Sequence, residues 1–308
     1  MKRVFIFILM LCSVLFITSC GEKEMTETKE ESGNEVNVIL LIGQSNAEGH
    51  TWSNMLNQKN PSLYTKYNGD NDSKVKIMYH VDALGAKRQN EEFESINLGM
   101  GFDETRYGPE VGMSEVFDET ELERDLYIIK YTAGGTNLYT QWHSTNSPKG
   151  AGVLYTGLLN FVFDAMTILE EQGYYPYIKG ICWMQGESDA TSDHLDYADN
   201  YQEYEDTFIN DLNEDLSYYK EDESETFKFI NAGISNSSPW FNFRKINTAK
   251  YNNCLLDEEN RYYLDTIKLG LSYMMEPTNN VDLYHYDSLA MIKLGKEFAN
   301  ALLSFEIL

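Results

Sequence analysis

The sequence is short of basic residues, and this shortage excludes one class of partner. Lys and Arg together number 24 against 49 Asp and Glu, which gives a formal net charge of −25 at pH 7. A nucleic-acid partner is not expected, because phosphate binding needs a clustered basic surface. The acidic charge instead suits a soluble extracellular protein that meets a neutral substrate.

Cysteine is also too scarce for a disulfide scaffold. Two of the four cysteines lie near the N-terminus, which leaves Cys182 and Cys254. These two could pair in an oxidising compartment, although sequence cannot fix connectivity. Cys182 lies in an apolar stretch, where a thiol packs as a small buried hydrophobe. Unpaired cysteines are therefore the favoured interpretation.

The apolar run near the N-terminus is too short to predict a membrane-spanning helix. Lys2 and Arg3 precede an apolar run and a small-residue step that ends at Cys20. Only about 15 apolar residues lie before this cysteine, whereas a spanning helix needs about 20. Residues 1–19 are therefore interpreted as a cleaved lipoprotein signal peptide. The step resembles a bacterial lipobox, so we expect lipid on Cys20, membrane attachment through this N-terminal anchor, and a location in the bacterial cell envelope.

The rest of the chain lacks a second linker. Residues 20–34 carry almost no apolar side chains and are expected to form a flexible acidic tether. Residues 35–308 are enough for one large domain or two small ones. They contain no stretch rich in Pro, Gly and Ser, no repeat and no low-complexity segment. One domain over residues 35–308 is therefore predicted.

Short apolar runs alternate with helix-like stretches along this domain. The strand-like runs lie at 36–42, 75–79, 126–131, 178–184 and 227–230, and the helix-like stretches at 153–171, 197–219 and 288–303. This alternation predicts an α/β fold with a mainly parallel sheet covered on both faces by helices. Ligands of such sheets bind beyond the carboxyl ends of the strands, so chemistry is sought just after each run.

Ser45 follows the first predicted strand within the tetrapeptide Gly43-Gln44-Ser45-Asn46. Gly43 permits a tight turn, and a helix that begins there would direct backbone N–H groups at an oxyanion. The alternative role for this serine is a helix N-cap, which is common after a strand. The tetrapeptide alone leaves nucleophile and cap both open.

A serine nucleophile needs a neutral imidazole and a carboxylate that orients it. Among the five histidines, His285 has an aspartate, Asp282, three residues before it. That offset can bring both side chains to one side of a loop, so the pair predicts a base and its orienter. His50 lies near Ser45 but has only Glu48 as a neighbouring carboxylate, and a surface position is favoured for it.

Two glycine-containing turns follow later strands and fit the electrostatic needs of acyl transfer. Residues 133–137 (Ala-Gly-Gly-Thr-Asn) and 185–189 (Gln-Gly-Glu-Ser-Asp) each come directly after a predicted strand. A glycine lets a backbone N–H approach an oxyanion, and a glutamine amide is a neutral donor. For either segment alone an ordinary turn is the simpler interpretation. Their occurrence after successive strands favours a shared site.

Together these segments resemble the SGNH hydrolase superfamily, specifically its sialate O-acetylesterase and acetylxylan esterase-like branch, carbohydrate esterase family six. The resemblance covers nearly all of residues 35–308 and rests on four blocks in the family's order. The blocks are Gly43-Gln44-Ser45-Asn46, Gly134-Gly135-Thr136 with Trp142 following, Gln185-Gly186-Glu187, and Asp282-x-x-His285.

The resemblance implies a fold and a set of roles. The fold would be a three-layer α/β/α sandwich of flavodoxin-like type. Ser45 would be the nucleophile, His285 the general base and then acid, and Asp282 its orienter. The oxyanion hole would comprise the Ser45 N–H, a Gly135 N–H, with Gly134 as the alternative, and the Gln185 side chain. Trp142 and Glu187 are candidate substrate contacts.

The implied activity is removal of O-acetyl groups from a carbohydrate, such as sialic acid or xylan, through an acyl-serine and without a metal or organic cofactor. Two alternatives stay open. Glu187 with Asp189 or Asp282 could form the carboxylate pair of a glycosidase. The chain could also be a surface glycan-binding lipoprotein without turnover.

Overall fold

The computed structural model describes residues 34–69, 71–83, 85–191, 193 and 195–308. Residues 34–308 form a compact unit of their own. The predicted signal peptide, the lipid site at Cys20 and the tether up to residue 33 lie outside the described residues.

Strands and helices alternate through much of the described chain, as predicted. The strands are β1 (Glu35–Gly43), β2 (Thr51–Trp52), β3 (Lys76–Ala83), β4 (Ala86–Gln89), β5 (Glu94–Ser95), β6 (Arg106–Tyr107), β7 (Leu126–Thr132), β8 (Tyr175–Met184), β9 (Lys228–Ala232) and β10 (Arg261–Leu264). The helices are α1 (Ser45–Glu48), α2 (Ser53–Lys59), α3 (Pro61–Tyr67), α4 (Glu110–Glu119), α5 (Val153–Glu171), α6 (Leu195–Asp215), α7 (Phe243–Leu255) and α8 (Ser288–Leu303). All five predicted strands and all three predicted helices are present.

The main sheet is mostly parallel. Its strand order is β10-β9-β8-β1-β7-β3-β4, in which β4 runs antiparallel to β3, and β5 pairs with β3 in the same antiparallel sense. The chain leaves β1 for β3 and β7 on one side and then crosses to β8, β9 and β10 on the other. This order differs from the flavodoxin order, in which the second parallel strand lies beside the first. The switch point, where a ligand is expected, lies at the carboxyl end of β1.

Helices cover both faces of this sheet, because neighbouring residues of a strand point to opposite sides. On β7, Lys130 points to α4 and pairs with Glu110 at 2.8 Å. The next residue, Tyr131, points to α5, where its hydroxyl lies against Gly157. Helices α4 and α8 cover one face, and α5, α6 and α7 cover the other. The predicted three-layer α/β/α fold is confirmed.

Cys182 and Cys254 are both buried and free. Burial raises the pKa of both thiols, to about 12 for Cys254. They are therefore packing residues, as favoured from the sequence, and form no disulfide.

Candidate active site

Strands β1, β7 and β8 end side by side. Gly43 at the end of β1 pairs with Thr132 of β7 and with Met184 of β8. It has a φ of +143°, and a Cβ at this position would lie 2.0 Å from the Met184 carbonyl oxygen. Only glycine fits such a close backbone approach. The three turns singled out in the sequence therefore leave the sheet at one place.

Ser45 is the first residue of α1, and the N-cap position belongs to Gln44. The capping role considered for Ser45 therefore does not apply. Its side chain is only 7% exposed, and none of the hydrogen bonds formed by the described residues involves its hydroxyl. In a structure without substrate such a free hydroxyl is compatible with nucleophilic attack, because catalytic hydrogen bonds often tighten only when substrate binds.

The side chain of Asn46 connects the serine turn to the histidine loop. Its Nδ2 donates to the Tyr284 carbonyl at 3.3 Å, and its Oδ1 accepts from the Tyr286 N–H at 3.2 Å. These two partners flank His285 directly. The amide therefore joins the loop that carries His285 to the turn that carries Ser45, across some 240 residues of sequence. The sequence pattern contained no signal for this bridge, because it shows only which residues lie near each other along the chain.

His285 and Asp282 form the predicted pair. The His285 Nδ1 lies 2.7 Å from an Asp282 carboxylate oxygen. Burial lowers the pKa of His285 below its ordinary value, and Asp282 opposes that shift only in part. Burial by itself raises the pKa of Asp282, but the hydrogen bonds and charge that it meets around His285 lower it to about 2. At neutral pH the imidazole is therefore uncharged, and its Nε2 can act as a base.

His50 also belongs to the site, so the prediction of a surface position was wrong. Its ring stacks on that of His285 with centroids 4.3 Å apart and planes 15° apart. Its Nε2 lies 2.6 Å from a Glu48 carboxylate oxygen, and its side chain is 13% exposed. Sequence analysis weighed only the neighbouring carboxylate, whereas the stacking partner lies in the C-terminal part of the chain.

The Gln185 amide does not fit the predicted oxyanion role. It is fully buried, and its Nε2 donates to an Asp189 carboxylate oxygen at 2.6 Å and to the Thr136 carbonyl at 3.1 Å. Since an amide has two N–H groups, none is left for a substrate. Gln185 instead holds the two glycine-containing turns together. Gly135 is exposed with a φ of +72°. The backbone N–H groups of Gly135 and Ser45 therefore stay as the predicted hydrogen-bond donors of the oxyanion hole.

The two predicted substrate contacts are also wrong, because both side chains are fully buried. The Trp142 Nε1 donates to the Thr136 hydroxyl at 2.8 Å, and the indole packs edge-on against Trp183. Glu187 accepts a 2.8 Å hydrogen bond from the Asn46 amide, and burial raises the pKa of its carboxyl group. Trp142 therefore supports the second turn, and Glu187 fixes the Asn46 bridge.

Burial also removes the basis for a carboxylate-pair glycosidase. Asp189 is as inaccessible as Glu187, and Asp282 is committed to His285. A glycosidase needs two carboxyl groups that reach opposite sides of one glycosidic bond. Neither proposed pair meets this requirement.

Gln44 and Asp189 are positioning residues, a role that sequence analysis gave to neither of them. The Gln44 Oε1 accepts from the Gly186 and Ser188 N–H groups, each at 3.3 Å. Asp189 accepts from the Leu138 N–H at 2.9 Å. Burial raises the pKa of Asp189 to about 6. Together they tie all three turns into one buried network, in which partners lie far apart along the chain.

Replacing Asn46 by alanine should lower kcat for a simple acetyl ester by about 10- to 100-fold, because a small displacement of a catalytic group has an effect of that order. Steady-state kinetics with p-nitrophenyl acetate measures it. Asn71→Ala is the matched control, since Asn71 also bridges backbone segments through its amide but lies elsewhere. Equal kcat values for both variants would contradict the bridging role of Asn46.

The chain is similar to a known protein family and to solved structures. A family model described as carbohydrate esterase, sialic acid-specific acetylesterase, matches residues 35–304. A structure of a protein from Arabidopsis thaliana superposes with a TM-score of 0.59 at 20% identity, over 88% of this chain and 98% of the other. The structure of NanS superposes with a TM-score of 0.55 at 16% identity, over 89% and 98%. At these identities the two structures show that the fold is shared.

A search of curated proteins finds no match. The family match is independent of that result and covers all four sequence blocks, the sheet and the Asp282–His285 pair. The chain therefore belongs to the carbohydrate esterase, sialic acid-specific acetylesterase family.

Proposed function

We propose that this protein is a serine esterase that removes O-acetyl groups from a carbohydrate through an acyl-serine intermediate. The observation that carries the proposal is the Asn46 bridge, which joins the loop of the Asp282–His285 pair to the turn that carries Ser45. Family membership supports ester hydrolysis as the chemistry.

The reaction follows from the roles of two side chains and two backbone N–H groups. The Ser45 hydroxyl attacks the acetyl carbonyl while His285 Nε2 takes its proton, and backbone N–H groups of Ser45 and Gly135 stabilise the oxyanion. The tetrahedral intermediate loses the sugar alkoxide, which receives the proton from His285. Water then attacks the acetyl-serine with His285 again as base, and acetate leaves as Ser45 regains its proton.

An aromatic rim next to His285 supports a sugar as the alcohol part of the substrate. Tyr284 is 50% exposed and packs edge-on against Trp240, with ring centroids 5.6 Å apart. Phe241, the next residue after Trp240, is 75% exposed. A tyrosine ring offers a ligand an apolar face and a polar tip, whereas a phenylalanine ring offers an apolar face alone. This rim takes the place of the buried Trp142 in our proposal.

The substrate class is tested by measuring acetate release from a panel of acetylated compounds. The panel contains O-acetylated sialic acids, acetylated xylan oligosaccharides, other acetylated sugars and p-nitrophenyl acetate. We expect kcat/KM for at least one acetylated sugar to exceed that for the small ester. Release of reducing ends without acetate would indicate a glycosidase, and oligosaccharide binding without acetate release would indicate a binding protein.

Tyr284→Ala should raise KM for the preferred acetylated sugar several-fold. Stacking of a ligand ring on an aromatic side chain is worth about 1 kcal/mol or more, and alanine removes that contact. KM for p-nitrophenyl acetate should change less, since that substrate has no sugar. The backbone carbonyl that Asn46 binds is kept in this variant. Tyr284→Phe retains the ring and is the control. Equal effects on both substrates would contradict sugar stacking.

We also propose that the chain is attached to the bacterial cell envelope by lipid on Cys20. The proposal rests on the lipobox-like sequence alone. Cys20→Ala should abolish incorporation of radiolabelled palmitate and shift the full-length chain from the membrane to the soluble fraction. Unchanged labelling in this variant would refute it.

A further inference from the structure

We propose that His50, held by Glu48, is a positioning residue that sets both the ring orientation and the proton affinity of His285. The inference rests on the proposed function, because His285 is its catalytic base. The juxtaposition of two imidazoles, each with its own carboxylate, carries the proposal.

The His50 ring is stacked between the rings of Phe102 and His285. Its centroid lies 4.7 Å from that of Phe102, with planes inclined by 26°, and 4.3 Å from that of His285, with planes inclined by 15°. The Glu48 carboxylate is fully buried and fixes the edge of the His50 ring at 2.6 Å. The hydrogen bond to Asp282 fixes only one nitrogen of His285. The stack restrains the tilt of that ring, which decides where Nε2 points.

The stacked rings are also close enough to interact electrostatically. Burial is the largest cause that lowers the pKa of His285, and the neighbouring His50 lowers it further. A lowered pKa keeps the base neutral and active in mildly acidic solution.

Other charged groups also surround the rings of His50 and His285. Asp282 and Glu187 favour the protonated form of His285 and so oppose His50. On the far side, Arg106 donates to the His50 backbone carbonyl at 3.1 Å, and Asp103 lies 4.0 Å from the Arg106 side chain. Among the described residues, the His50 imidazole is the group that stacks directly on His285.

Two substitutions separate the roles. His50→Phe keeps an aromatic ring in the stack and removes the imidazole, so the acidic limb of kcat/KM should move upward. His50→Ala removes the ring as well, so it should show the same shift and also lower kcat at pH 8 by about 10- to 100-fold, a larger loss than in His50→Phe. KM for p-nitrophenyl acetate should change little in either variant.

The experiment is a pH profile of kcat and kcat/KM for p-nitrophenyl acetate with the full-length chain. His80→Ala is the matched control, because His80 is a buried histidine that stacks on Tyr131 and binds Gln89 away from His285. A purely structural role would lower thermal stability without moving the acidic limb. An unmoved limb in both His50 variants, with wild-type kcat, overturns the inference. An inactive wild-type protein instead overturns the proposed function.

Discussion

Ser45→Ala is expected to lower kcat for p-nitrophenyl acetate by about 10⁴-fold or more, because removal of a triad nucleophile leaves only the catalysis that binding and oxyanion stabilisation provide. Fold and stability should be almost unchanged. Ser45 is the first residue of a short helix, and its hydroxyl forms none of the hydrogen bonds among the described residues. Alanine is a good helix former at this position.

Steady-state kinetics and circular dichroism measure the two parts of this prediction. Ser53→Ala is the matched control, since Ser53 is also the first residue of a short helix, is 8% exposed against 7% for Ser45, and has a hydroxyl without a hydrogen-bond partner among the described residues. Mass spectrometry after brief mixing with p-nitrophenyl acetate should find an added acetyl group on the peptide that contains Ser45. Comparable turnover by the Ser45→Ala variant and wild type would remove Ser45 from its proposed role.

The elements and the position of the site were predictable because local patterns encode them. Continuous apolar runs indicated strands buried on both faces, and Gly43 marked the turn after β1. The strand order was not predictable, since it depends on which runs pair across the chain. The edge strands β4 and β5 and the short strand β10 were also not predicted, because none of them contains a long apolar run.

The site residues show the same division between local and distant contacts. Asp282 and His285 pair within one loop, so their spacing was informative. Gln185, Glu187 and Trp142 follow strand ends as expected, yet the structure buries all three as supports of the turns. Sequence position places a residue near the site but does not reveal which way its side chain points. Tertiary packing decides between a substrate contact and a support.

Asp282→Asn is expected to lower kcat by about 10⁴-fold, because the orienting carboxylate selects the histidine tautomer. An asparagine oxygen can still accept the hydrogen bond that Asp282 receives from the Tyr284 N–H at 2.8 Å, so the loop should keep its shape. Its amide would then donate to His285 Nδ1. That contact places the imidazole proton on Nε2, the nitrogen that must accept the proton of Ser45. Asp222→Asn is the control, since Asp222 accepts an equivalent hydrogen bond from the Ser224 N–H at 2.8 Å.

The pH dependence of the residual activity gives a second test of this pair. In the wild-type protein the pKa of His285 is lowered, so kcat/KM should fall only as pH drops through a value below 6.5. Asp282 favours the protonated imidazole, so its neutralisation should lower this pKa further and move the acidic limb to still lower pH. Removal of the His50 imidazole should move the limb in the opposite direction, because after burial His50 is a further cause that lowers the pKa of His285. Shifts of the same sign in Asp282→Asn and His50→Phe would contradict the electrostatic account of this site.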